Sequence, residues 1–167
     1  MTSWLSGSAR AALAGAVALG LSPAVAEDVR FPATFKPGLM LRTPKGWTSQ
    51  TLNVGISENL VIDSPDHTIE LVISLSPTLG SPDLLAAKLL KAKPQGKTKA
   101  RFAGLDAFAY RGTATNPDGL KLNLKLVVAP IDPQEAYTCM LITAYPESDK
   151  ALAPANALIA GVALIKK

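Results

Sequence analysis

The sequence predicts a single α+β domain whose main element is an antiparallel sheet. In residues 68–76, apolar positions alternate with mostly polar ones, as in a strand that faces a core on one side. Four later apolar segments are joined by short sequences rich in Gly, Asn, Asp and Pro, which favours one antiparallel meander. These segments are residues 97–102, 105–115, 120–129 and 136–145. Two helical segments complete the α+β pattern.

The first 26 residues have the composition of a secretory signal peptide. Arg10 precedes an Ala-rich apolar run, a Ser-Pro break follows, and Ala24-Val25-Ala26 supplies the small residues that a signal peptidase requires. The apolar run is shorter than the roughly 20 residues that a membrane span needs. We therefore expect cleavage before Glu27, export to the periplasm, one domain over residues 27–167, and no transmembrane segment after cleavage.

Charge and cysteine content narrow the class of protein further. The formal net charge of +4 is mildly basic, and the basic residues lack interleaved aromatics, so nucleic acid is not an expected partner. Cys139 is the only cysteine, so no intrachain disulfide can form and the fold must rely on its hydrophobic core. Because Cys139 lies in an apolar run, we expect a buried and unreactive thiol.

Residues 27–63 are predicted to contain an extended lead-in and two short strands. Residues 27–38 contain two prolines and a glycine and should form an extended surface lead-in rather than a regular element. Leu39–Arg42 is a short predicted strand, Pro44-Lys45-Gly46 ends it, and Trp47 begins the return. Leu60–Asp63 is a second short strand.

Capping residues define the two helices. Ser81, Pro82 and Asp83 are typical of a helix start, and the helix should run to about residue 92, with Lys88 and Lys91 opposite its apolar face. The terminal helix should begin at Ser148 or Asp149 and end or kink at Gly161. Residues 162–165 fit either a last helical turn or a short closing strand.

The order of the predicted strands and helices resembles the PsbP-like superfamily over residues 36–165, and three sequence features carry this resemblance. They are the sequence LRTPKGW at Leu41–Trp47, the Phe-Ala-Gly-Leu turn at Phe102–Leu105 and the final helix. The resemblance implies an α/β/α sandwich in which helices pack on both faces of the antiparallel sheet. It also implies a protein that docks on partners rather than one that catalyses a reaction. No metal ligand of that family can be assigned to a position here.

Trp47 is a candidate binding residue with two possible roles. In a fold of this kind its ring could anchor the edge of the sheet, or it could form a platform for a ligand. The size of its apolar body favours the anchor, while the ring N–H remains able to find a partner.

Catalytic and metal-binding patterns are weak. A hydrolase needs a nucleophile near a histidine, but the sole histidine, His67, follows Asp66 in a turn-like sequence, and Gly55–Asn59 lacks the second glycine of a nucleophile elbow. Asp63, Asp66, His67 and Glu70 could together attract a hard cation. A solvated turn is the better interpretation of this cluster, so we predict no catalytic residue, no metal and no cofactor.

A run of basic residues is the strongest functional pattern, because no acid interrupts it. The candidate partner-binding residues within it are Lys88, Lys91, Lys97, Lys99 and Arg101, to which we add Trp47. Such a patch either attracts an acidic protein or an anionic membrane surface, or is a solvated edge that serves only solubility. We therefore expect a non-catalytic periplasmic accessory or partner-binding protein. The alternatives are a small-molecule or metal-ion binding protein and, less favoured, a hydrolase.

Overall fold

The computed structural model describes residues 26, 28–32, 38–54, 57–77, 81–90, 95–115, 119, 121–132, 137–145 and 152–165. Within them the fold is a sheet-dominated α+β structure with two short helices. The strands are β1 (Asp28–Phe31), β2 (Gly38–Arg42), β3 (Thr48–Val54), β4 (Ser57–Asp63), β5 (Glu70–Pro77), β6 (Gln95–Phe102), β7 (Leu105–Thr115), β8 (Lys121–Asp132), β9 (Tyr137–Tyr145) and β10 (Ala163–Ile165). The helices are α1 (Pro82–Leu90) and α2 (Leu152–Ala160). The predicted signal peptide lies outside the described residues except for Ala26.

A small three-stranded sheet forms from the first two described strands and the last one, in the order β1-β2-β10. The prediction that the lead-in has no regular element is therefore wrong for β1, which pairs antiparallel with β2. The prolines misled the sequence argument because Pro32 only follows the strand, while Phe31 is buried and fixes β1 against the core.

A seven-stranded antiparallel sheet contains most of the described strands, in the order β3-β4-β5-β9-β8-β7-β6. Its second half confirms the predicted meander, since β6, β7, β8 and β9 follow one another as neighbours. The turn between β6 and β7 uses Ala103 and Gly104, both at positive φ, as a two-residue hairpin turn of type I′ requires. This topology leaves β3 at one edge of the sheet and β6 at the other.

Strand alternation divides the buried side chains into two clusters on opposite faces of this sheet. Neighbouring residues of β8 show the division, because Leu126 belongs to one cluster and Val127 to the other. The larger cluster also contains Phe31, Leu39 and Leu41 of the small sheet, together with Ala155 and Leu158 of α2. The smaller cluster contains Leu85, Ala86 and Leu90 of α1.

Both helices occur where the sequence places them. The Leu84 N–H donates to Ser81 Oγ at 3.3 Å, so Ser81 caps α1 as predicted. Helix α2 ends at Ala160, directly before Gly161, and Ala163–Ile165 form β10, which decides between the two interpretations in favour of a strand. The caps predicted at Ser148 and Asp149, like residues 91 and 92, lie outside the described residues. No helix in the described ranges is long and apolar enough to cross a bilayer.

Candidate functional site

The Trp47 turn is a tight reversal between the two sheets. The Trp47 N–H donates to the Pro44 carbonyl at 3.1 Å, and Gly46 takes a φ of +84°, which a glycine adopts without strain. A Cβ at Gly46 would lie 3.3 Å from Pro65 Cγ, so this turn packs directly on the turn between β4 and β5. The ring of Trp47 is half-buried against the larger core cluster. Trp47 therefore anchors the sheet, as predicted, while part of the ring stays accessible.

The turn between β4 and β5, residues 64–69, is held by a network around Asp66 and Ser64. Asp66 Oδ1 accepts hydrogen bonds from Ser64 Oγ at 2.7 Å, Thr68 Oγ1 at 2.9 Å and the Thr68 N–H at 3.2 Å. Ser64 Oγ accepts from the Ile69 N–H at 2.9 Å. The bond from Ser64, followed by those from Thr68, lowers the pKa of Asp66 below its ordinary value. Asp66 is therefore an exposed, ionised carboxylate whose first task is to shape the turn.

The four residues weighed as a cation site do not converge in one place. Asp63 is buried in β4, and Glu70 lies opposite it at the start of β5. Asp66 and His67 are exposed in the turn that joins these strands. His67 itself has a φ of +54°. Among the residues that the structure describes, no group of three or more His, Cys, Asp or Glu side chains could hold a metal ion.

A cleft of about 350 Å³ opens beside the two packed turns. Its lining combines one aromatic residue, three apolar residues, two hydroxyl residues and one acidic residue. The lining residues are Trp47, Ser64, Pro65, Asp66, Thr68, Ile69 and Pro154. The sequence named Trp47 and Asp66 as separate candidates, and the structure brings them to one cleft. Pro154 was missed because nothing local in a helical segment indicates which distant turn it approaches.

The predicted basic residues of β6 form an exposed row that we call the basic edge, defined as Lys97, Lys99 and Arg101. Their alternate positions place all three on the face that carries Phe108 and α1. Lys88 lies within α1, but its side chain is outside the described residues, as is Lys91 altogether. The structure thus assembles three of the five predicted cations.

Lys97, one of the three residues of the basic edge, makes contacts within the fold. Lys97 Nζ lies 2.8 Å from Asp83 Oδ2 and 4.4 Å from the centroid of the Phe108 ring. The Tyr110 hydroxyl donates to the other oxygen, Asp83 Oδ1, at 2.8 Å. These contacts tie the first turn of α1 to β6 and β7.

The same network shifts two ionisation equilibria. The hydrogen bond from Lys97, then that from Tyr110, lowers the pKa of Asp83. Desolvation, reinforced by the Asp83 carboxylate, raises the pKa of Tyr110. The sequence showed Asp83 only as a favourable first-turn acid, and its bridging role was missed because Tyr110 lies on a distant strand.

The remaining charges of the basic edge are available to solvent. Arg101 donates to the Gly104 carbonyl at 3.1 Å, and its Nε lies 3.9 Å from Asp106 Oδ1. Both side chains of that pair are largely exposed, so the attraction is screened and weak. Lys99 has no ion-pair partner among the described residues. Leu84, the residue after Asp83 in α1, is a large apolar side chain that is 60% exposed.

Cys139 is completely buried in β9, as predicted, between Leu75 of β5 and Ala129 of β8. Desolvation raises the pKa of its thiol above the ordinary value. A thiol in this environment is protonated and shielded, which is typical of a structural cysteine.

Comparison with known proteins gives similarity in structure alone. No protein-family model matches the sequence, and no curated protein is similar to it. The cyanobacterial PsbP protein CyanoP from Synechocystis aligns with 87% of this chain and 96% of its own, with a TM-score of 0.59 and 12% identity. LpqN of Mycobacterium tuberculosis, which is involved in cell envelope biogenesis, aligns with 84% of this chain and 90% of its own, with a TM-score of 0.51 and 15% identity.

A third similar structure comes from Bacteroides thetaiotaomicron, with a TM-score of 0.54 and 14% identity over 77% of this chain. This chain spans only 46% of that protein. At such identities the likeness concerns the fold alone. The chain has a PsbP-like fold, which confirms the resemblance found in its sequence.

Proposed function

We propose that this chain is an exported, non-catalytic protein that docks on an acidic protein partner through the basic edge. The observation that carries the proposal is the row of cations on one exposed face of an edge strand, of which only Lys97 is tightly paired. An unbalanced row of this kind attracts an acidic surface over several ångströms and raises the rate of encounter.

The surroundings of the basic edge favour a protein over a membrane as its partner. Leu84 follows Asp83, the ion-pair partner of Lys97, and its apolar side chain is exposed; protein interfaces combine an apolar centre with a polar rim. Binding to anionic vesicles is the alternative outcome of the binding test.

Export and the layer arrangement belong to the same proposal. Residues 1–26 have a signal-peptide composition, and LpqN, a structural neighbour, is involved in cell envelope biogenesis. The two helices would complete an α/β/α sandwich of the PsbP-like type. The separate buried clusters that contain residues of α1 and α2 support that arrangement.

The surroundings of the sole histidine support a non-catalytic role. The hydrogen bonds described for the neighbouring Asp66 carboxylate come from Ser64 and Thr68, so this oxygen is occupied in shaping the turn rather than in orienting His67. A general base needs such an orienting partner and a nucleophile within reach. The arrangement around His67 therefore favours a structural turn.

The test uses the exported wild-type chain, the double variant Lys99→Glu/Arg101→Glu, and Lys121→Glu as a control on β8. Each is immobilised and exposed to periplasmic extract and to vesicles of anionic lipid at low and high salt. We expect an acidic protein that binds wild type and the control at low salt, is lost at high salt, and is absent from the double variant. Retention of every bound protein by a folded double variant would contradict the proposal, as would binding to vesicles alone.

The Trp47 cleft supports a second candidate function, the binding of a small organic cation. Its volume falls within the range of small-molecule sites, and a cleft lined by both an acidic and an aromatic residue suits an ammonium or guanidinium group. Residues 27–167 contain Trp47 as their single tryptophan, so its fluorescence reports ligand binding directly. Titration with a panel of amines should quench wild type but not Asp66→Asn. The absence of any response in wild type would remove this candidate.

A further inference from the structure

The two edges of the seven-stranded sheet are protected very differently. An edge strand exposes unpaired N–H and C=O groups that can pair with another chain, and proteins usually guard such edges with charges, prolines or bulges. Strand β6 is guarded, because it carries the basic edge and its pairing with β7 is irregular between Gln95 and Thr98. Pairing β6 with a second β6 around Lys99 would place Lys97 opposite Arg101 and Lys99 opposite itself.

Strand β3, at the opposite edge, has none of these protections. Its seven residues, TSQTLNV, include no charge, no proline and no glycine, and five of them are exposed. The exposed residues are Thr48, Ser49, Gln50, Thr51 and Asn53. Within the described part of the chain, β3 pairs with β4 alone, in unbroken register from Thr48 to Val54. The outer side of β3 is therefore a regular, uncharged ladder of backbone groups.

We propose that β3 pairs antiparallel with β3 of a second copy of this chain, which joins two sheets across a two-fold axis. Charge and symmetry favour a second copy of this chain as the partner of β3. A self-paired strand meets its own side chains, and β3 brings no like charges together whereas β6 does. This inference goes beyond the proposed function and does not rest on it, because β3 and the basic edge lie at opposite edges of the sheet.

Geometry also fixes the register of the pair. In an antiparallel ladder, hydrogen-bonded pairs of opposed residues alternate with non-hydrogen-bonded pairs. A two-fold axis between two neighbouring pairs would have to make these two kinds equivalent, which is impossible. The axis must therefore pass between one residue and the same residue of the second copy. Full use of β3 requires the axis at Thr51, the middle of its seven residues. Ser49 then lies opposite Asn53 of the second copy, twice in each dimer.

Two charge variants test this register. Ser49→Lys/Asn53→Lys places two lysines opposite two lysines, so the dissociation constant of the dimer should rise about tenfold or more. Ser49→Glu/Asn53→Lys keeps the second change and places unlike charges opposite each other, so association should match or exceed that of wild type. Asn53→Lys lies opposite Glu58 within the chain in both variants, so the folded monomers differ only in the sign at position 49. Sedimentation equilibrium of the exported chain measures all three constants.

Disulfide crosslinking of introduced cysteines tests the position of the two-fold axis. In Thr51→Cys the two introduced thiols face each other at a Cα separation of about 4.5–5.5 Å, which allows a disulfide. Thr48→Cys is equally exposed, but its two copies lie at opposite ends of the paired strands. The native Cys139 is buried and does not compete. We expect mild oxidation to give a covalent dimer from Thr51→Cys and none from Thr48→Cys.

Wild type that stays monomeric at about 1 mM protein, a concentration at which even weak specific pairs form, would overturn the inference. Equal association of the two charge variants, or equal crosslinking of the two cysteine variants, would overturn it as well. A dimer that forms with none of these dependences would use another surface. Each of these results leaves partner docking at the basic edge unaffected, so the two proposals fail separately.

Discussion

Replacement of Gly46 by alanine should disturb the Trp47 turn by two separable effects. Gly46 has a φ of +84°, which costs an L-residue about 1–2 kcal/mol. The new Cβ would also lie 3.3 Å from Pro65 Cγ, so the Pro65 ring must shift by a few tenths of an ångström, which adds up to about 1 kcal/mol. We expect Gly46→Ala to lower the free energy of unfolding by about 2 kcal/mol, measured by urea denaturation of the exported chain.

Gly104→Ala is the matched control for this change. Gly104 has a φ of +80°, but nothing lies within 4 Å of an added Cβ, so only the backbone cost applies. The difference between the two variants therefore measures how firmly the Trp47 turn packs on Pro65. Gly46→Ala alone should also shift the fluorescence of Trp47 in the folded state. Equal destabilisation by the two variants, within about 0.3 kcal/mol, together with unchanged fluorescence, would refute the packing argument.

Three further results are expected. Cys139→Ser should lower the free energy of unfolding by about 1 kcal/mol or more, and by more than Cys139→Ala, because the hydroxyl is buried among apolar side chains; rapid labelling of Cys139 in the folded protein would contradict this. Folding lowers the pKa of Asp83, so its ionised carboxylate stabilises the folded state at any pH above 3.8, the ordinary pKa of an aspartate. This stabilisation is lost as the pH falls through the lowered pKa of the folded state. Asp83→Asn should therefore flatten the acid side of the stability profile, and an unchanged profile would argue against the Tyr110 and Lys97 contacts. Intact-mass measurement of the exported chain should show Glu27 as the first residue, whereas a retained Met1 would contradict the signal-peptide prediction.

Local patterns in the sequence were sufficient for most of the sheet. The four-stranded meander was predictable because alternation and turn composition are properties of neighbouring residues. Strand β1 was not, because its existence depends on pairing with β2 and on burial of Phe31, both of which are tertiary. Strand β3 was not predictable either, because its mostly polar residues show little alternation and its position is set by pairing with β4.

The candidate site was predictable as residue types but not as an arrangement. The sequence identified Lys97, Lys99 and Arg101 as one basic run, and alternation along β6 does place them on one face. It could not show that Lys97 is paired with Asp83, because that contact joins a helix to a strand through tertiary packing. The approach of Trp47 to Asp66 was hidden for the same reason, as it depends on how two separate turns pack.

The rate of association with the captured acidic partner, measured against salt concentration, tests partner docking most directly. Charges in an exposed row act over a distance that salt shortens to about 8 Å at physiological ionic strength, so the association rate should fall steeply with salt while the dissociation rate changes little. Lys99→Glu should lower the association rate and flatten its salt dependence, and Lys121→Glu should leave both close to wild type. An association rate that is insensitive to salt, or equally affected by the two substitutions, would contradict docking through the basic edge.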